Sequence, residues 1–146
     1  MSQRVIVRVI AVAFVIACGR SEPAAPPAVE VHGAWVRAAD SGLVTAAYLT
    51  VVNHTAAPVK YKGASSPLAT DVALHETMVM GDMVHMTPLD TVPAIAPGDS
   101  LVLAEGAKHL MVSELRRRLS VGDTLPLTLT FADGRTLSAR AAVRSP

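Results

Sequence analysis

Short stretches of apolar and β-branched residues, some of them alternating with polar ones at a period of two, are separated along the chain by breaks rich in Gly, Pro, Asp and Ser. That is the signature of short, half-buried strands. Residues 125–131 alternate most clearly, and the Asp133-Gly134 pair that follows is a hairpin signal leading into 135–143. Residues 29–37 alternate loosely around Trp35, 38–42 read as a turn, and 43–52 form a β-branched and apolar run. After a break at 53–58 come a third strand at 59–64 and a second break at 65–67. A loop with two prolines spans 90–99, a short strand spans 100–104, and a strand at 109–112 follows the Glu105-Gly106 turn. Arg116, Arg117 and Arg118 read as a solvated loop. Eight or so strands with no amphipathic helix longer than two turns predict an all-β domain, a β-sandwich or Greek-key barrel.

The pattern changes before residue 29. Arg4 and Arg8 precede an apolar run at 9–16, which is too short to span a bilayer and reads as the hydrophobic part of an export signal. The run ends in Val15-Ile16-Ala17-Cys18, which resembles the bacterial lipobox, whose cysteine becomes the lipidated first residue of the mature protein. The alternative is a leader cleaved elsewhere, with Cys18 a small residue inside it. Residues 21–28, SEPAAPPA, have no apolar period and suit an extended tether. The expected organisation is a signal peptide at 1–17, a lipid-anchored Pro/Ala-rich tether at 18–28 and one domain at 29–146. The protein is then expected on the extracytoplasmic, periplasmic face of the cell envelope, held to the membrane by its anchor.

Composition narrows the function. The chain has 146 residues, of which 51% are hydrophobic, with only one Trp, two Tyr and two Phe. Thirteen basic residues face twelve acidic ones, and removing Arg4 and Arg8 with the leader leaves the mature protein at −1. No nucleic-acid footprint is present. Cys18 is the only cysteine, so a lipidated form has no free thiol, which suits an oxidising compartment. Any soft-metal site must then use methionine.

Met78, Met80, Met83 and Met86 crowd into nine residues, and Met111 lies two residues from His109. His75 and His85 flank or interrupt the first group. Taken singly, each of these residues is explained by packing, since Met fills irregular gaps in cores. Geometry raises the set above its members. If Gly81-Asp82 is a two-residue hairpin turn, Met86 lies opposite Thr77 and diagonal to His75 on one face, about 7 Å away. His109 and Met111, two apart on a strand, also share a face. Two imidazoles and two thioethers would thus converge, while Met78, Met80, Met83 and His85 would point the other way. A three-residue turn reverses this parity. His/Met ligation favours Cu(I), whereas zinc prefers thiolate, imidazole or carboxylate and a blue-copper centre needs a cysteine. Met83 and His85 are candidates for auxiliary ligands or a docking surface. Met78 and Met80 read as hairpin packing, with an adaptable contact surface for a partner as the alternative, Trp35 as core, and His32 and His54 as solvated. Glu76 beside His75 does not make a metalloprotease motif, because position 79 is Val.

The chain resembles the PCuAC family of periplasmic copper chaperones. The resemblance rests on His75, ten residues, Met86, then His109-Leu110-Met111, with Ala34-Trp35-Val36-Arg37, Ala47-Tyr48-Leu49-Thr50, His75-Glu76-Thr77 and residues 125–131 in support. Met86 and His109 enclose twenty-two residues, one more than the family's usual gap. The resemblance implies a cupredoxin-like Greek-key barrel that holds one Cu(I) through His75, Met86, His109 and Met111. It also implies a copper-accepting partner, the binuclear centre of cytochrome c oxidase, reached through subunit II or an assembly factor. Some relatives carry a His- and Met-rich C-terminal extension for Cu(II); with Arg144-Ser145-Pro146 at the end of this chain, that second site is not expected. No catalytic Ser/His/Asp set, carboxylate pair or phosphate loop stands out, so the protein is not expected to be an enzyme. The competing readings are a copper store without a dedicated recipient and a metal-free interaction module. Because ligating imidazoles must be neutral, copper binding is expected to weaken as pH falls below about 6.

Overall fold

The computed structural model describes residues 28–145. Strand alternation is realised most plainly in β8 (Thr124–Phe131), where Leu125, Leu127, Leu129 and Phe131 are buried and the residues between them are not. Its partner β9 (Thr136–Arg144) buries Ala139, Ala141 and Val143 on the same principle. The Asp133-Gly134 signal forms a three-residue loop: Thr130 pairs with Thr136, and the Phe131 N–H donates to the Arg135 carbonyl at 2.9 Å.

Seven further strands complete the domain: β1 (Val29–Arg37), β2 (Thr45–Asn53), β3 (Tyr61–Ser65), β4 (Asp71–Met80), β5 (Met83–Pro88), β6 (Ser100–Leu103) and β7 (Lys108–Ser113). They form one mixed sheet in the order β3-β8-β9-β1-β2-β7-β4-β5, with β6 on the remaining part of β2. The one parallel pairing, β1 with β9, joins the first strand to the last. The sheet curls until β3 and β4 pack against each other, enclosing a core of Val36, Leu49, Val51, Leu74, Leu110, Val112 and the β8 leucines. The all-β, cupredoxin-like architecture expected from the sequence is the one found. No helix among the described residues is long and apolar enough to cross a membrane.

Two glycines set the register that matters for function. Gly33, at φ +60°, sits in a bulge of β1, so that the pairing shifts by one between His32↔Thr50 and Trp35↔Tyr48. The shift brings Trp35 onto the same face as His32, away from the core. Gly81, at φ +64°, opens the two-residue turn between β4 and β5, the glycine-first arrangement of a type II′ hairpin.

Tyr61 packs edge-on against Phe131, with centroids 6.5 Å apart, and its buried hydroxyl has no hydrogen-bond partner. Burial pushes its phenol well above the ordinary range. The unpartnered hydroxyl costs stability at every pH, and because the unfolded chain ionises from about 10 while the folded phenol does not, further stability is lost as pH rises from the unfolded value toward the folded one. Tyr61→Phe is therefore expected to stabilise the domain by about 1 kcal/mol at neutral pH and to flatten its alkaline decline. Urea denaturation at pH 7 and pH 11 measures both effects.

Candidate metal centre

Alternation along β7 separates two tasks. Leu110 and Val112 point into the core, so His109 and Met111 point outward from the barrel. On β4, His75 lies directly opposite His109 and Ala73 opposite Met111. On β5, Met86 lies opposite Thr77, in the register a two-residue turn requires. Cross-strand partners share a face, so His75, Met86, His109 and Met111 occupy one patch on the outer surface of three adjacent strands. Met111 has Ala73 on one side and Ala46 on the other, which leaves its flexible side chain room to swing. Neither β4–β5 nor β4–β7 contains a register shift. The one residue by which the resemblance makes the Met86–His109 gap long would then lie outside these strands.

The two imidazoles are 6.1 Å apart between centroids, with their planes inclined by 26°. With metal–nitrogen bonds of about 2.0 Å, two imidazoles on one ion have centroids roughly 5 to 6.3 Å apart, so the observed spacing admits a shared ion. His109 is 3% exposed, and its Nδ1 lies 3.1 Å from the Ala107 carbonyl. His75 Nδ1 lies 3.4 Å from the Ala73 carbonyl. A carbonyl only accepts, so these contacts favour the neutral tautomer with the proton on Nδ1, which leaves the Nε2 lone pairs for a metal. Met86, by contrast, is 57% exposed. The patch thus runs from a buried, oriented imidazole to a thioether in solvent.

Around His109 lies a groove of about 390 Å³ lined by Arg37, Tyr48, Thr77, Met86 and Met111, with His109 itself in its wall. His75 does not line this groove; it joins the patch by stacking on His109. Tyr48 packs 6.4 Å from the His109 ring, and Trp35 packs 4.5 Å from Tyr48. Trp35 is therefore half-buried on the outer face rather than in the core, because the Gly33 bulge reverses its parity. The Arg37 and Arg144 guanidinium groups lie over the Tyr48 and Trp35 rings at 5.9 and 5.3 Å. Arg37 also pairs with Glu105, and the hydrogen bond to that carboxylate is the main cause of its raised pKa. The sequence assigned no site role to Tyr48, Arg37 or Glu105; Arg37 and Tyr48 entered only through the segments Ala34-Trp35-Val36-Arg37 and Ala47-Tyr48-Leu49-Thr50 that support the family resemblance, and Glu105 only as part of a turn.

Met78, Met80, Met83 and His85 point to the opposite face of the hairpin from Met86. Met78 and Met80 do not pack, contrary to expectation. The β4–β7 pairing ends at Glu76, where Lys108 and Glu76 form a 2.9 Å ion pair, and the hairpin runs on past the sheet with Val79, Met80, Met83 and Val84 exposed. Cys18 and the tether lie outside the described residues.

The all-β barrel that carries this His/Met patch has the fold of solved PCuAC domains. The copper-bound PCuAC domain from PmoF2 has the same fold, with a TM-score of 0.66, 23% identity, and coverage of 84% of this chain and 97% of that one. Residues 29–143 match the LpqE-like family, described as one of lipoproteins, and the chain belongs to it. Lxx21020 of Leifsonia xyli subsp. xyli, also named as a lipoprotein, is 35% identical over 116 residues, covering 80% of this chain and 69% of its own. The solution structure of Cu(I)-DR1885 from Deinococcus radiodurans is 38% identical, covers 88% of this chain and 86% of its own, and has a TM-score of 0.60.

Proposed function

We propose that this protein is an extracytoplasmic copper chaperone that binds one Cu(I) through His75 Nε2, His109 Nε2 and the thioethers of Met86 and Met111. The observation that carries this reading is the convergence of two Nε2-free imidazoles and two methionines on one outer face. Uncharged, soft thioethers with imidazole suit Cu(I), and no thiolate is available among the described residues to draw zinc or make a blue-copper site. The 38% identity to a protein studied in its Cu(I) form supports the same assignment. The lipoprotein description of the family supports export and anchoring through Cys18.

The burial gradient favours a carrier over a store. An incoming ligand can displace the exposed Met86 first, then Met111, while the buried His109 holds the ion until the exchange is complete. A copper-accepting protein such as the binuclear centre of cytochrome c oxidase, delivered through subunit II or its assembly factor, is the recipient this chemistry fits. The exposure of Met83 and His85 on the far face of the same hairpin supports contact with such a partner over ligation.

Anaerobic Cu(I) titration against a chromophoric chelator tests the reading. The wild type is expected to bind one equivalent, and Met86→Leu with Met111→Leu to weaken binding by about a hundredfold or more. Unchanged affinity in that double variant would favour the metal-free interaction module. Binding that survives challenge by every copper-accepting protein tried would favour a store.

A further inference from the structure

A second constellation lies at the other end of β2, on the same outer face. Glu30 and His32 are two apart on β1, and Glu30 pairs with Val52, so both project beside His54, the first residue after β2. His32 Nε2 lies 3.1 Å and His54 Nε2 3.3 Å from the same Glu30 Oε2, and all three donor atoms fall within 4.8 Å of one another. The two histidines are thus not separately solvated, as the sequence suggests; β1–β2 pairing brings them onto one carboxylate.

The frame under this group is fixed. The His54 N–H donates to the Ala28 carbonyl at 2.9 Å. The neighbouring Asn53 side chain is fully buried; its Nδ2 donates to the Ala57 and Ile95 carbonyls, and its Oδ1 accepts from the Thr55 N–H, each at 2.9 Å. That buried amide holds the turn presenting His54, and the sheet holds Glu30 and His32.

We propose that Glu30, His32 and His54 form a second metal site, selective for a borderline divalent ion, with Cu(II) bound more tightly than Zn(II). Around an ion with bonds of about 2.0 to 2.1 Å, tetrahedral donors stand about 3.3 Å apart and square-planar neighbours about 2.9 Å apart. The two nitrogen–oxygen separations fall in that range before any metal is present. Two imidazoles and a carboxylate leave coordination positions open for water, and the anionic oxygen suits a divalent ion. With no sulfur donor among the three, the site discriminates against Cu(I), and the Irving–Williams order places Cu(II) above Zn(II). Eight residue steps, about 26 Å of extended chain, separate Ala46, beside Met111, from His54, so the two groups of side chains are separate sites. The protein would then hold copper in either oxidation state at separate places. This site stands whether or not the His/Met patch carries Cu(I).

Titration of the purified protein with Cu(II) and, separately, Zn(II) tests the proposal, read by affinity and by amide resonances. The first equivalent of Cu(II) is expected to broaden the amides of residues 29–33 and 53–55. His32→Gln with His54→Gln is expected to abolish that broadening and weaken Cu(II) binding at least tenfold, leaving Cu(I) affinity at the His/Met patch unchanged. Glu30→Gln, which keeps both imidazoles, is expected to weaken both metals. All three side chains are on the surface, so the variants retain the fold. Broadening that persists in the double variant, first-equivalent broadening confined to His75 and His109, or unchanged affinity in Glu30→Gln would each overturn the site and leave Glu30 as a plain ion-pair acceptor.

Discussion

His109→Ala is expected to lower Cu(I) affinity by a hundredfold to about a thousandfold, the largest effect of any single change in the patch. That corresponds to roughly 3 to 4 kcal/mol of binding free energy. The reason is position: His109 is the most buried of the four, the Ala107 carbonyl favours the tautomer with Nε2 free, and Tyr48 packs against its ring. Removing Met86, which stands in solvent, forfeits a bond but not the frame that orients the others. Chelator competition under anaerobic conditions reads the ratio, and a circular dichroism melt checks that the strand is intact. Equal losses for His109→Ala and Met86→Leu would show that burial does not rank the ligands.

Leu110→Ala tests the opposite face of the same strand. Leu110 is fully buried, with Ala47 opposite it on β2 and Leu74 opposite it on β4. Truncation leaves a cavity where three strands meet, and about 3 kcal/mol of stability is expected to be lost. Urea denaturation measures that loss. On the copper reading, with Cu(I) held by the folded form alone, free copper at a hundred times the dissociation constant is expected to restore about 2.7 kcal/mol. A loss below about 1 kcal/mol would mean that the β7 core face contributes little to the fold.

What the sequence disclosed depended on how local the determining interaction was. The β8 alternation and the β1 boundaries are properties of contiguous residues, and they were legible. The hairpin was legible in conditional form, because Gly81-Asp82 narrows the turn, and turn length alone decides whether Met86 faces with His75. The exposure of Met78 and Met80 was not legible: it depends on β7 ending before β4 does. The position of Trp35 and the meeting of Glu30, His32 and His54 require cross-strand register, and the Gly33 bulge changes that register inside one strand. A glycine within a strand signals such a bulge without saying which neighbours it realigns.

The overrunning β4–β5 hairpin has a consequence for timing. β5 is the edge of the sheet, bonded to β4 alone, and beyond Thr77 the arm leans on nothing in the core. Amides there are expected to exchange with solvent far sooner than those of β7. On the copper reading, Met86, opposite Thr77, sits at the root of this loose lever on the edge strand, while the histidines are seated on β4 and β7 in the body of the sheet. Cargo can then be let go by a swing of the arm, at no cost to the barrel that carried it.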